Sequence, residues 1–360
     1  MPTQKHFQIH RLVLRQGWVS ILIASLMLLV PALGPHVGAA GPAVLVKDIN
    51  PGPADALGLH NRLPLATARG RLFFTADDGS HGEELWTSDG TAAGTTLLAD
   101  IRATGYSSIL FLTNVNDTIF FGADDGVHGY ELWKSDGTVD GTRAVADIFP
   151  GQSSSYAELL TNVNGTIFFR ALDPAGWGLW KSDGAREGTV LVKRHTLPIT
   201  NLASSERLLF YTSDEGADGF GNGLWSSDGT PGGTQLLKTF PPVQRPSPNS
   251  PPIPSVSSFT EGNGQMFFVA YTAGRGFELW KSDGTATGTK LVSDTGPTMT
   301  YGDQWYFKNV NETLFMLVDH GQQSTSLWRS DGSADGTLQV STPGMWAAHL
   351  RAKKSARVKE

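Results

Sequence analysis

The chain has 360 residues, enough for one large domain with a sizeable core that needs no covalent staples. Its 28 basic and 34 acidic side chains give a net charge of -6 and no reserve for neutralising phosphates, so nucleic acid is not expected as a partner. Cysteine is absent, which excludes disulfides, thiolate nucleophiles and Cys-ligated zinc, while 42 glycines and only 17% charged residues favour an all-β protein of many tight turns.

At the amino terminus, Lys5, Arg11 and Arg15 precede an apolar run over 18–30, followed by Pro31 and the small residues Gly38, Ala39 and Ala40. This is the order of a secretory signal peptide, with cleavage expected near Ala40. The alternative, an uncleaved anchor, is disfavoured because the run is shorter than the ~20 residues a spanning helix needs. The predicted plan is a signal peptide over 1–40, a repeat domain over 41–342 and a basic tail over 343–360. The expected location is outside the cell or on its surface, with no membrane span after cleavage.

A twelve-residue motif follows in six copies: ELWTSDGTAAGT from Glu84, ELWKSDGTVDGT from Glu131, GLWKSDGAREGT from Gly178, GLWSSDGTPGGT from Gly223, ELWKSDGTATGT from Glu278 and SLWRSDGSADGT from Ser326. Successive tryptophans, from Trp86 through Trp133, Trp180, Trp225 and Trp280 to Trp328, are 47, 47, 45, 55 and 48 residues apart. Within the second copy four short strands are predicted, Ile109 to Val115, Thr118 to Ala123, Tyr130 to Lys134 and Arg143 to Ile148, each rich in β-branched, aromatic or aliphatic residues. Asn116-Asp117 and Asn164-Gly165 suit the positive backbone angles of two-residue hairpins, and SerAspGly suits an Asx-type turn. Four antiparallel strands in about 47 residues describe a β-propeller blade. A six-bladed propeller is therefore predicted, with a β-solenoid as the alternative.

The fourth-strand pattern occurs once more, as Val44 to Ile49, before any complete repeat. This surplus strand is expected either to close the ring by joining the last blade or to belong to a seventh, truncated blade. The long fourth period comes from the Pro-rich stretch Phe240 to Pro254, which is expected to form a loop.

These motifs resemble the ELWxxDGT repeat family of bacterial exported proteins, over about Val44 to Val340. The resemblance implies a propeller-like protein at or beyond the cell surface. The family has no established activity, so it implies no catalytic residue. Ala185 and Ser333 depart from the pattern by replacing the Thr after SerAspGly, and slightly weaker turns are expected there.

Candidate chemistry lies mostly in acidic turns. The repeated Asp89, Asp136, Asp183, Asp228, Asp283 and Asp331 read best as local turn acceptors, and the repeated Trp as filler between blades. His81, His128 and His320 sit in similar AspGly loops, but each lacks a second imidazole at zinc-ligand spacing. The loop 214–222 is the richest in hard oxygen donors, which makes Asp214, Asp218 and Asn222 calcium candidates, although the DxDxDG order is missing. Asn116, Asn164 and Asn311 match glycosylation acceptors, but their shared place in the repeat fits a hairpin turn better. Features that break the repeat are Arg170, Glu158 and the cluster Asp303, Trp305 and Tyr306, none of which forms a recognisable catalytic set. The expected function is that of a noncatalytic exported module binding an extracellular glycan, peptide or protein. The alternatives are a propeller enzyme acting on extracellular polysaccharide and a purely structural array unit.

Overall fold

The computed structural model describes residues 43–51, 56–57, 64–213, 223–243, 255–293, 304–319 and 325–341. Each repeat becomes one four-stranded antiparallel sheet whose strands pair in chain order, and six such sheets follow one another over 65–99, 110–146, 158–194, 199–239, 256–291 and 304–341. The strands of the second sheet are Leu110–Val115, Thr118–Asp124, Tyr130–Ser135 and Arg143–Ala146, within two residues of those predicted. The first strand of each sheet packs on the first strand of the next, from Leu65–Ala68 on Leu110–Val115 through to Val256–Gly262 on Gln304–Val310. First strands are thus innermost, and the sheets are the blades of a β-propeller. Among the described residues, no helix is long and apolar enough to cross a membrane.

Strand pairing gives every blade two ends. The hairpin between strands one and two and the SerAspGly turn between strands three and four share one end. The loop between strands two and three and the passage to the next blade share the other, called here the crossover end.

The cores lie between blades. The second strand alternates its side chains across the sheet, so Phe120 points forward to the third blade while Ile119, Phe121 and Ala123 point back to the first. Phe120, Leu132 and Val145 accordingly pack against Ile167, Phe169 and Ala171, with Trp180 at the margin. The same joint is built four more times, around Phe73, Phe168, Phe210 and Phe267. Five of the repeated tryptophans, Trp133, Trp180, Trp225, Trp280 and Trp328, sit in these joints, whereas Trp86 packs on Phe74, Ala76 and Ile49. Removing a buried ring such as Trp225 costs about 3–5 kcal/mol in transfer and cavity energy.

The SerAspGlyThr turn explains its own residues. In the second blade, Asp136 Oδ1 accepts from Thr138 N at 2.9 Å and from Thr138 Oγ1 at 2.6 Å, while Thr138 Oγ1 accepts from Gly141 N at 2.9 Å. Ser135 Oγ lies 2.8 Å from Thr142 Oγ1 and accepts from Gly137 N, so each recurring polar side chain of the motif is bonded inside it. Gly137 has φ 91, and a Cβ there would lie 3.3 Å from the Phe73 ring of the preceding blade. A Cβ on Gly141 would collide with the Asp136 carboxylate at 2.0 Å. Ser333 keeps both hydroxyl bonds of the turn, to Asp331 at 2.6 Å and from Gly336 N at 2.9 Å. The side-chain bonds of the motif thus need only the hydroxyl, which Ser supplies as Thr does. At Ala185 the Asp183 carboxylate retains the backbone bond alone.

The hairpin expectation holds at Asn116, Asn164 and Asn311, all with positive φ. The surplus strand differs. Residues 43–51 form no strand, and the sixth sheet is completed by its own Leu338–Ser341, so the extra segment does not extend that blade.

Candidate binding site

Most predicted site residues prove to be local structure. Asp78 Oδ1 accepts from Ser80 N and His81 N, and its Oδ2 lies 2.8 Å from His81 Nδ1; Asp125 and His128 repeat this geometry. The paired Asp holds each exposed imidazole above the usual His range through this hydrogen bond. His320 and the calcium candidates Asp214, Asp218 and Asn222 lie outside the described residues, as does Asp303. Among the described residues, no three His, Asp or Glu side chains are placed to hold a metal ion. Trp305 packs into the joint between blades five and six, edge-to-face with Phe307 at 5.5 Å.

The crossover end carries a device the sequence reading missed. Glu131, the first residue of its motif, is buried and accepts from Ile148 N, Phe149 N and Ser155 N at 3.0, 3.3 and 3.1 Å, and from Ser155 Oγ at 2.7 Å. It thereby fastens the chain as it passes to the third blade. Glu84 does the same through Ile101 N and Arg102 N. Burial outweighs these bonds and pushes both carboxyls up to about 7. The available signal was the Glu two residues before Trp in three of the six copies. A buried serine completes three of the passages: Leu172 N bonds Ser155 O at 2.7 Å, Asp124 N bonds Ser107 O at 2.9 Å and Tyr271 N bonds Ser255 O at 2.8 Å.

On this end the third blade departs from its neighbours. Its first strand, Glu158–Val163, bulges opposite Phe168 to Arg170 with Leu159 at φ 58, as the first strands of the second and fifth blades bulge at Phe111 and Ser258, so the departure lies in the side chains it brings together. The bulge brings Glu158 opposite Arg170, and the two form an ion pair. The guanidinium also donates to Ile199 O at 2.6 Å and lies 5.6 Å from the Trp177 ring centroid. Other blades place Thr75, Gly122, Thr212, Val269 or Leu317 where Arg170 stands. Beside this pair, Tyr156 is 47% exposed and its ring centre is 6.3 Å from that of half-buried Trp177, with a 34° tilt. Asp173 and Arg194 add a bidentate ion pair at 2.7 Å, which with the Ala175 N bond holds the Asp173 carboxyl below its usual range against the opposing effect of burial. Glu158 and Arg170 were singled out in the sequence and are brought together. Tyr156 and Trp177 were not, although a second Trp three residues before Trp180 was a visible departure from the repeat.

The hairpin end holds a shallow depression of about 400 Å³ between the third, fourth and fifth blades, lined by Asn162, Asn164, Ser204, Ser205, Glu206 and Glu261. It is polar and contains no aromatic ring. On the same end Asn side chains link the hairpins of the first three blades, with Asn162 Nδ2 donating to Asn114 O at 3.0 Å and Asn114 Nδ2 to Thr67 O at 2.6 Å.

The fold and this arrangement define a β-propeller whose third blade carries an asymmetric, aromatic and charged patch. No family model and no curated protein matches the chain. Among solved structures it is similar to a prolyl endopeptidase, with TM-score 0.50 and 11% identity over 78% of this chain and 42% of that one. It is also similar to oligopeptidase B from Leishmania major, with TM-score 0.48 and 10% identity over 78% of this chain and 40% of that one. A third is puromycin hydrolase, with TM-score 0.45 and 13% identity over 81% of this chain and 49% of that one. The chain spans less than half the length of these proteins, and such low identity speaks to fold alone.

Proposed function

We propose that this chain is an exported, noncatalytic binding module whose recognition surface is the crossover end of the third blade, and that its ligand is an extracellular glycan. The observation that carries this reading is the Tyr156 and Trp177 pair, two aromatic faces at a solvent-facing position beside ion-paired Arg170 and Asp173. Aromatic faces present flat apolar area to the C–H faces of sugar rings, and the fixed charged groups beside them bond hydroxyls at little cost in ordering. The carboxylate of Glu158 is engaged by Arg170, which suits positioning better than proton transfer. Export rests on the order of basic, apolar and small residues over 5–40.

The test is thermal unfolding of the chain from Gly41 with a panel of cell-surface polysaccharides, and with calcium as a separate arm. A ligand that prefers the native state raises the midpoint, and Trp177→Ala with Tyr156→Ala should remove the shift while leaving the unliganded midpoint nearly unchanged. A glycan shift that survives both substitutions would place recognition elsewhere, and no glycan shift would discard the glycan. A calcium shift would make the 214–222 loop the next target. Amino-terminal sequencing of the protein recovered from outside the cell should begin at Gly41; an intact Met1 would overturn signal cleavage.

A further inference from the structure

Three positions before the repeated tryptophan, three blades carry a ring, Tyr130, Trp177 and Phe277. Tyr130 is buried, whereas Trp177 and Phe277 are half-buried. The backbone does not make the difference, since Tyr130 O accepts from Ser155 N at 3.0 Å and Trp177 O accepts from His195 N at 3.0 Å. Strand register puts each ring opposite a residue of the second strand, Tyr130 opposite Asp124, Trp177 opposite Leu172 and Phe277 opposite Tyr271. Two places back on that strand, and so on the same face, stand Gly122, Arg170 and Val269 respectively.

What stands at that place decides where the ring goes. Gly122 has no side chain and Tyr130 fills the space, so that a Cβ there would lie 2.2 Å from its hydroxyl and 2.5 Å from two of its ring carbons. Any larger residue would have to turn the ring outward. The buried Tyr130 hydroxyl finds no hydrogen-bond partner among the described residues, so packing alone holds the ring down. In the third blade the same space is taken by Arg170, whose guanidinium is fixed by Glu158 and by Ile199 O at 2.6 Å and lies 5.6 Å from the Trp177 ring centre. Trp177 is thereby kept off the strand and meets Tyr156 at 6.3 Å. Beside Val269, Phe277 is also less covered than Tyr130, and it rests edge-on against Tyr271 at 5.5 Å.

We infer that Arg170 is the positioning residue of the recognition patch: it holds Trp177 out beside Tyr156, and the second blade carries the same arrangement in a covered form, with Tyr130 laid over Gly122. The inference rests on reading the Tyr156 and Trp177 pair as the recognition surface. A planar guanidinium suits this task because its fork is already engaged by a carboxylate and a carbonyl and so presents one fixed face to the indole, which a mobile ammonium would not. The strand pair carries the whole difference: Glu158 stands opposite Arg170, where Leu110 stands opposite Gly122.

The test moves the second blade's pair into the third, as Glu158→Leu with Arg170→Gly, and separately adds a single methyl to the second blade, as Gly122→Ala. Hydroxyl-radical footprinting read by mass spectrometry reports each ring without a ligand, and buried Trp225 serves as the internal reference. Trp177 should be oxidised about threefold or more slowly in the first variant and Tyr130 about threefold or more quickly in the second, with Trp225 constant in both. Unchanged or faster oxidation of Trp177, with Trp225 still protected, would overturn the proposal. Should the first variant lose its fold, seen as rapid oxidation of Trp225, the second decides, and an unchanged Tyr130 would overturn it. The panel of polysaccharides is scored apart from this. Slower oxidation of Trp177 with no midpoint shift by any polysaccharide in the unaltered chain keeps the role of Arg170 and discards the glycan. A polysaccharide shift that the first variant retains although its Trp177 has become protected overturns the positioning role.

Discussion

The two ends of a blade obey different rules. At the hairpin end, the SerAspGly turn recurs six times with the same Ser–Thr and backbone bonds, losing the hydroxyl bond to Asp at Ala185 alone, because it satisfies its own polar groups, and in five copies its glycine faces the Phe of the preceding blade. At the crossover end, Glu131 clasps the passage with four hydrogen bonds, yet Gly178, Gly223 and Ser326 stand at its position in three other blades. The lesson is that a self-contained turn can be copied unchanged, whereas a passage whose length and path vary must be refitted each time. Freedom from the repeat is where an asymmetric site can form, and the third blade, which lacks the Glu, carries Tyr156, Trp177 and Arg170 on that end.

The comparison breaks most sharply at Glu131. Glu131→Ala strips the acceptor from three backbone N–H groups and should lower stability by about 2–4 kcal/mol, read from denaturant midpoints. A loss below about 1 kcal/mol would mean the passages are held by packing alone. Glu131→Gln separates charge from shape. The folded carboxyl, raised to about 7 by burial, binds a proton that the unfolded one releases above about 4.5. Its stabilising contribution is therefore full below about 4.5 and lost as pH rises through 7. The wild-type chain should gain stability relative to Glu131→Gln on going from pH 8 to pH 5. A relative loss would show that the four donors, and not burial, govern the carboxyl. Buried His195 acts in the opposite sense, since desolvation lowers it to about 4, so its contribution is full above 6.5 and lost as pH falls through 4. The comparison between the two variants cancels that background.

At the hairpin end the sharper contrast lies between two glycines of the same motif. Gly229 has φ 87 and a Cβ there would lie 2.8 Å from the Phe168 ring, whereas Gly90 has φ 88 and open space. Gly229→Ala should cost about 2–3 kcal/mol, from backbone strain plus displacement of the ring, and Gly90→Ala about 1 kcal/mol from strain alone. Equal losses would mean that the turn and not the joint demands the glycine.

Fold and hairpin end were legible because their causes are local and repeated. Period, alternation and the AsnAsp, AsnGly and SerAspGly turns each specify backbone geometry within a few residues, and six copies made the pattern visible. The joints were legible in outline, since a Trp per repeat has to be covered by a neighbour. The clasp by Glu131 was not, because its partners Ile148 and Ser155 lie 17 and 24 residues away and are mostly backbone groups without a sequence signature. Arg170 and Glu158 could be marked as departures from the repeat, but their meeting depends on a bulge at Leu159, a β-favouring residue held at positive φ by its surroundings. Segment 44–49 showed its fourth-strand character in the sequence. That Lys47 and Ile49 lie against the first blade, rather than in the sixth, follows only from their contacts with Trp86, Phe74 and Ala76.

The smallest effect concerns the one turn that has lost its hydroxyl. In the second blade Thr138 Oγ1 both donates to Asp136 and accepts from Gly141 N; in the third, Ala185 leaves Asp183 with a single bond, from its own backbone N–H at 2.8 Å. The Asp136 carboxyl is held below its usual range by the Thr138 hydroxyl and N–H. Ala185→Thr should therefore restore two hydrogen bonds at an exposed turn and raise stability by about 0.5–1 kcal/mol. Ala185→Val matches the added bulk without the hydroxyl and should give no gain. If both variants stabilised the chain equally, side-chain bulk in the turn would be the cause. If neither did, the copies of this motif would owe their Thr to folding or history and not to the stability of the finished blade.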